Sequence, residues 1–298
     1  MKKLKSITIG TIAMALLCMS CQSDEKETLN ASEKDETARL SNSMVTKLWN
    51  LSLNPNYAER YSFETPEGKV SEGWKIEDVF ITDAQLESNS ANVQVQENPD
   101  NGKLYRVFNR VNVPNQGQRT LRIRGISLLP NIQEGLRRAI ANYNNAGLKI
   151  KFQVTFGNGF TNEDIILYQI ENNSLSAIAT SPANGNPGRW MEISNGSNRF
   201  NINRIEALLT HELGHSLGLR HSDFGGINSC IEAGVVGGPF DQGLRDPAPA
   251  NTFSVHIPGT DSNFDSPVRS VMMACSKDLN PPIKELTPED LIALRWLF

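Results

Sequence analysis

The chain of 298 residues has no excess of basic charge, only four histidines and only four cysteines. Lys and Arg total 29 against 33 for Asp and Glu, a formal net charge of −4. Nucleic-acid binders usually carry a basic face, so that class is set aside. The apolar stretch Ile7 to Met19 is too short to cross a bilayer, which takes about 20 apolar residues. No internal repeat is visible. What remains is ordinary globular composition, with 39% hydrophobic residues to fill a core. The length suits one sizeable domain with extra segments, or two small domains.

The N-terminus reads as an export signal. Lys2, Lys3 and Lys5 form a basic n-region ahead of the short apolar stretch. Its end resembles a bacterial lipoprotein signal: Ser20 is small, and Cys21 would be the lipidated residue after cleavage. Cys18 stands where Leu is usual, and ordinary cleaved secretion is the alternative. The acidic run from Gln22 to Glu27 resembles signals that send lipoproteins to the cell surface, and reads equally as a solvated tether. The expectation is an exported lipoprotein of the outer membrane or cell surface, with a periplasmic or secreted protein as the alternative. Cys230 and Cys275 are then an even pair in an oxidising compartment. A disulfide between them is expected, with two buried thiols as the alternative.

Composition and turn signals divide the chain into a signal (1–21), a polar tether (22–43), an N-terminal region (44–100) that is a candidate pro-segment, and a main domain (101–298). Lys75 to Thr82 reads as one strand, and the turn cluster Asn98 to Gly102 marks a boundary. Beyond it, Leu104 to Val113, Leu121 to Ile126, Lys149 to Phe156 and Ile165 to Ile170 read as strands. Ser176 to Thr180 and Arg189 to Ile193 follow them. Ile132, Leu136, Ile140 and Tyr143 share one face of a helix, a second helix runs from near Asn203 through His215, and Thr287 caps a last one. The layout is α+β: a mixed sheet with helices, an irregular stretch, then a terminal helix.

Three of the four histidines fall in one segment, His211-Glu212-Leu213-Gly214-His215-Ser216-Leu217-Gly218-Leu219-Arg220-His221. His211 and His215 stand four apart, so both imidazoles leave the same helix face and can share one ion. Gly218 can take the left-handed conformation that ends a helix, and His221 then arrives from outside as a third nitrogen. Three nitrogens with one open position describe a catalytic zinc site. Glu212 lies beside them, where a carboxylate can activate water. His256 falls in a loop-like stretch and reads as a surface residue.

This segment resembles the long zinc signature of the metzincin metallopeptidases, and among them is most similar to the bacterial HEIGH-type lipoprotein enzymes. Ser270-Val271-Met272 resembles their Met-turn, with Met272 beneath the metal and Met273 as the neighbouring alternative. The resemblance implies a metzincin-like catalytic domain: a mostly parallel sheet with two helices, then an irregular subdomain holding the Met-turn and the final helix. It also implies that the edge strand near Ala177 to Thr180 pairs with an extended peptide. Where some relatives carry a tyrosine two places after the Met-turn methionine, this chain has Ala274.

The implied activity is zinc-dependent endopeptidase action on proteins, with one zinc ion on His211, His215 and His221 and Glu212 as general base. The alternatives are an inactive scaffold acting as a surface binding module, and a zinc hydrolase of small peptides. Expected partners are a protein or peptide substrate and a membrane reached through the lipid, with the chain monomeric. Asp261, Asp265 and the Asp223 to Gly226 turn leave a role for calcium open. No cysteine after the lipid site lies in the N-terminal region, which argues against a cysteine lock on zinc. Asp78 is one candidate for an aspartate lock.

Overall fold

A period of two and a period of near 3.6 divide the chain between strands and helices, and the computed structural model shows how the two layers meet. It describes residues 40–91, 104–107, 109–159, 162–224, 228–235, 255–260 and 269–298. The signal, Cys21, the turn at 98–102, Asp261 and Asp265 lie outside the described residues. Among the described residues, no helix is long and apolar enough to cross a membrane.

Helix α1 (Asn42–Asn50) starts two residues inside the expected tether because the Ser41 side chain accepts from the Met44 N–H and caps it. Strands β1 (Ala58–Glu64), β2 (Val70–Ile76) and β3 (Val79–Thr82) follow, then α2 (Asp83–Ala91). The main layer consists of β5 (Arg119–Ile126), β6 (Ile150–Phe156), β7 (Ile165–Ile170), β8 (Ala177–Thr180) and β9 (Trp190–Ser194). Against it pack α3 (Pro130–Asn144) and α4 (Ile202–Leu217). The short β4 (Tyr105–Arg106) pairs with β10 (Val255–His256); α5 (Asn228–Glu232) and the terminal α6 (Pro288–Leu297) complete the chain.

The sheet order is β1-β2-β3-β8-β9-β7-β5-β6. Pairs β9–β7, β7–β5 and β5–β6 are parallel, and β8 runs antiparallel to β9, which gives the mixed, mostly parallel catalytic sheet that the sequence implies. Helix α3 lays Ile132, Leu136, Ala139, Ile140 and Tyr143 onto the core, with the spacing of one helix face. The Tyr143 hydroxyl donates to the Thr210 carbonyl at 2.8 Å and fixes α3 to the middle of α4.

Three expectations need correction. Among the described residues, Leu104 to Val113 forms strand only at Tyr105–Arg106, because β10, with which it pairs, is two residues long. Lys75 to Thr82 is two strands. Ile76 pairs with Val79 across a two-residue turn in which Glu77 has φ 58, so the chain reverses at Glu77-Asp78. Alternation alone carries no sign of that reversal. Finally, β8 is not an edge: β3 pairs with it in parallel through Val79↔Ala179 and Phe80↔Thr180.

The N-terminal strands are therefore continuous with the catalytic sheet. Phe63 stacks on Phe80 with ring centroids 4.9 Å apart and meets Tyr168 edge-on at 6.2 Å. Such aromatic pairs add about 0.5–1.5 kcal/mol each beyond their buried area. On the opposite side, the Asn54 amide donates to the Phe224 carbonyl at 3.0 Å, and the fully buried Arg220 donates to the Leu51 carbonyl at 3.3 Å.

Candidate metal centre

Helix α4 is built to stop where the site needs it. The Asn201 side chain accepts from the Arg204 N–H at its start. At its end Gly218, with φ 104, donates its N–H back to the carbonyls of Gly214 and His215 in a left-handed cap. The chain then turns outward, and the Arg220 N–H donates to the Tyr105 carbonyl at 2.9 Å. That bond sets His221 opposite the helix face that carries His211 and His215.

The three Nε2 atoms converge, at 2.9 Å (His211–His215), 3.0 Å (His211–His221) and 3.1 Å (His215–His221). The far ring nitrogens show what these close approaches mean. His211 Nδ1 lies 2.7 Å from the Val271 carbonyl, and His215 Nδ1 lies 2.9 Å from the Leu219 carbonyl. A carbonyl only accepts, so both protons sit on Nδ1 and both Nε2 atoms present bare lone pairs. His221 Nδ1 likewise faces the Glu77 carboxylate. Lone pairs packed this closely repel one another unless a cation lies between them. The donor set fits a metal ion with imidazole bonds of about 2.0–2.1 Å, and the carbonyl and carboxylate partners orient the rings as outer ligands do.

A fourth group joins them. Asp78, at the turn between β2 and β3, brings its carboxylate to 3.2 Å from His211 Nε2, 3.1 Å from His215 Nε2 and 3.0 Å from His221 Nε2. The four potential ligand atoms lie within 4.8 Å of one another. Burial opposes ionisation of Asp78, yet the charges of His221, His215 and His211 together hold its carboxyl well below the usual range. Burial pulls the His215 imidazole down to about 3. His221 is also penalised by burial, but Asp78 and Glu77 outweigh this and raise it well above the ordinary value.

Glu212 is fully buried, and neither of its carboxylate oxygens has a hydrogen-bond partner. Desolvation first, and the charge of Asp78 second, push its carboxyl well above the usual carboxylate range. An orphaned carboxylate is costly. Here it borders a cavity of about 200 Å³ whose other walls include Glu77, Asp78, Lys75, Lys277, Leu208 and Ile178.

Met272 is the methionine that lies under the site. A Cβ placed on Gly214 would meet the Met272 sulfur at 2.4 Å, so the glycine between the two helical histidines is what lets the methionine approach. Met273 is only partly buried. Asp290 holds this turn: Ser270 Oγ donates to it at 2.5 Å and the Val271 N–H at 3.0 Å. The same carboxylate accepts from the Thr287 N–H and hydroxyl in a capping box for α6. The helix cap is visible in the sequence, whereas the reach back to the Met-turn is not.

Cys230 and Cys275 are joined, with Cα atoms 4.9 Å apart. Asp223, in one of the turns left open for calcium, has its carboxylate engaged by the Ser229 N–H and hydroxyl and by the Ala274 N–H. It ties α5 to the segment after Met272. His256 is partly buried in β10 and contacts the Thr260 hydroxyl at 2.7 Å, since pairing with β4 draws it off the surface.

This centre defines a metal-dependent peptidase. The profile of the dual-action HEIGH metallo-peptidases matches residues 79–298, and the chain belongs to that family. Among solved structures, it is similar to myroilysin in two determinations. These show 13% identity over 58% and 59% of this chain and 77% and 78% of theirs, with TM-scores of 0.35 and 0.31. It is also similar to high choriolytic enzyme 1, a hatching enzyme zinc-protease of the medaka fish Oryzias latipes. That match has 18% identity over 63% of this chain and 93% of that one, with a TM-score of 0.36. No curated protein matches the chain.

Proposed function

We propose that this metallopeptidase is a zinc-dependent endopeptidase in which His211, His215 and His221 hold one zinc ion and Glu212 is the general base. The convergence of the three Nε2 atoms beside one orphaned carboxylate carries this reading. Zinc, when bound, lowers the pKa of water towards neutrality and polarises the scissile carbonyl. Glu212 accepts the proton of the attacking water and returns it to the leaving amine. Met272 and Asp290 keep the floor of the centre rigid, and the outer carbonyls fix the imidazole tautomers. For the chain lacking residues 1–21, the expected result is one zinc per chain, and 1,10-phenanthroline should stop whatever cleavage of unfolded casein it shows. A folded chain that binds no zinc overturns the reading.

Export as a lipoprotein rests on the sequence alone. Its test is radiolabelled palmitate incorporation, which Cys21→Ala should abolish.

A further inference from the structure

A peptidase of this kind needs an open position on its metal and a free strand edge to hold the substrate backbone. One hairpin takes both. The β2–β3 turn delivers Asp78 to the three imidazoles, and β3 continues from it along the outer side of β8. The Ala179 N–H, which an extended substrate would use, donates instead to the Asp78 carbonyl at 2.9 Å.

We propose that Asp78 is a fourth protein ligand to the metal and that β3 covers the substrate edge, so that the folded chain is a latent peptidase shut by its own N-terminal hairpin. The proposal rests on the peptidase reading above.

A plain ion pair between an aspartate and histidines explains less. Asp78 Oδ2 lies 3.3 Å from His221 Nε2 and 3.2 Å from His211 Nε2, but Oδ1 makes no hydrogen bond, although His221 Nε2 is 3.0 Å away and His215 Nε2 is 3.1 Å away. It aims a lone pair at the point where the imidazole lone pairs already meet, which is the arrangement of a ligand. Charge agrees: a divalent cation on three neutral imidazoles keeps its full charge, and Asp78 halves it. Glu77, the other turn residue, places a second carboxylate on the outer nitrogen of His221.

The turn also explains why the hairpin is not itself a substrate. With Ile76 paired to Val79, the chain doubles back at the centre, and the group it offers the metal is a side-chain carboxylate. Residues on both flanks hold it in place. Phe63 stacks on Phe80, the Tyr61 hydroxyl donates to Glu192 at 2.5 Å, and buried Arg220 donates to the Leu51 carbonyl. Spontaneous opening must break these contacts together, so the shut state dominates.

The test substitutes cobalt(II) for zinc in the full chain from residue 22 and in Asp78→Ala. The cobalt absorption band is followed as acetohydroxamate is added, a probe too small to need strand pairing. Casein cleavage by the zinc forms is measured in parallel. In the variant, the band should shift at a concentration at least about tenfold below that needed in the parent, and cleavage should rise at least about tenfold. Asp78→Asn, which keeps the side-chain shape, is the second variant should the alanine form unfold. Adding Phe80→Ala to Asp78→Ala loosens the strand as well and should raise cleavage further.

Equal hydroxamate response in parent and variant overturns the proposal, whether or not either form cleaves casein. A variant that alone accepts hydroxamate, with no cleavage by any form, upholds the lock and sinks the peptidase reading.

Discussion

Glu212→Gln, introduced into the Asp78→Ala background, is expected to lower kcat/KM for casein-derived peptides by about 10²–10⁴, the usual contribution of a positioned general base. Zinc content should stay at one per chain, because Glu212 is not among the converging ligand atoms. The isosteric amide keeps the packing of a fully buried side chain but cannot take the proton from water. It also removes a buried, unpartnered carboxylate, so the variant should be no less stable than its parent in thermal unfolding. Loss of activity without loss of metal or stability is the signature of a chemical role. A variant that cleaves within threefold of its background would mean that another group handles the proton. Metal loss together with activity would mean that Glu212 serves the site's structure.

The parts of this centre that the sequence exposes are those fixed by local spacing. His211, Glu212 and His215 share a face because four residues make about one helical turn, and Gly218 ends α4 because a left-handed residue is needed there. Thr287 and Asp290 announce the start of α6 in the same way. What the sequence hides depends on chain reversal and long-range pairing. Glu77 and Asp78 sit inside an apolar alternation that reads as continuous strand, with no Gly, Asn or Pro to mark the turn. Asp78 is thus one acidic residue among several until β3 is paired with β8 about a hundred positions later in the chain. The second task of Asp290, on Ser270 and Val271, is hidden for the same reason. A capping pattern tells which N–H groups a side chain serves in its own helix, and nothing about a turn arriving from twenty residues upstream.

Replacing both bridged cysteines, as Cys230→Ala/Cys275→Ala, is expected to cost about 4 kcal/mol of stability, given the chain entropy released by opening a loop with a sequence separation of 45. For a domain of this size that is a fall in unfolding midpoint of roughly 8–16 °C. Function in the folded population should change far less. The same two segments are also joined by Asp223, which accepts from the Ser229 N–H and hydroxyl and from the Ala274 N–H, while Ser229 Oγ accepts from the Cys275 N–H. Those bonds hold α5 against the stretch after Met272 without the bridge, so the wall of the cavity keeps its place. Thermal unfolding of the double variant, run beside cleavage by an Asp78→Ala form well below its midpoint, separates the two effects. A lower midpoint with near-parental cleavage makes the bridge a staple for an exported protein. An unmoved midpoint would mean that residual structure already restricts this loop in the unfolded chain, so that the bridge removes little entropy there. Cleavage lost at low temperature would instead assign the disulfide to the shape of the substrate pocket itself.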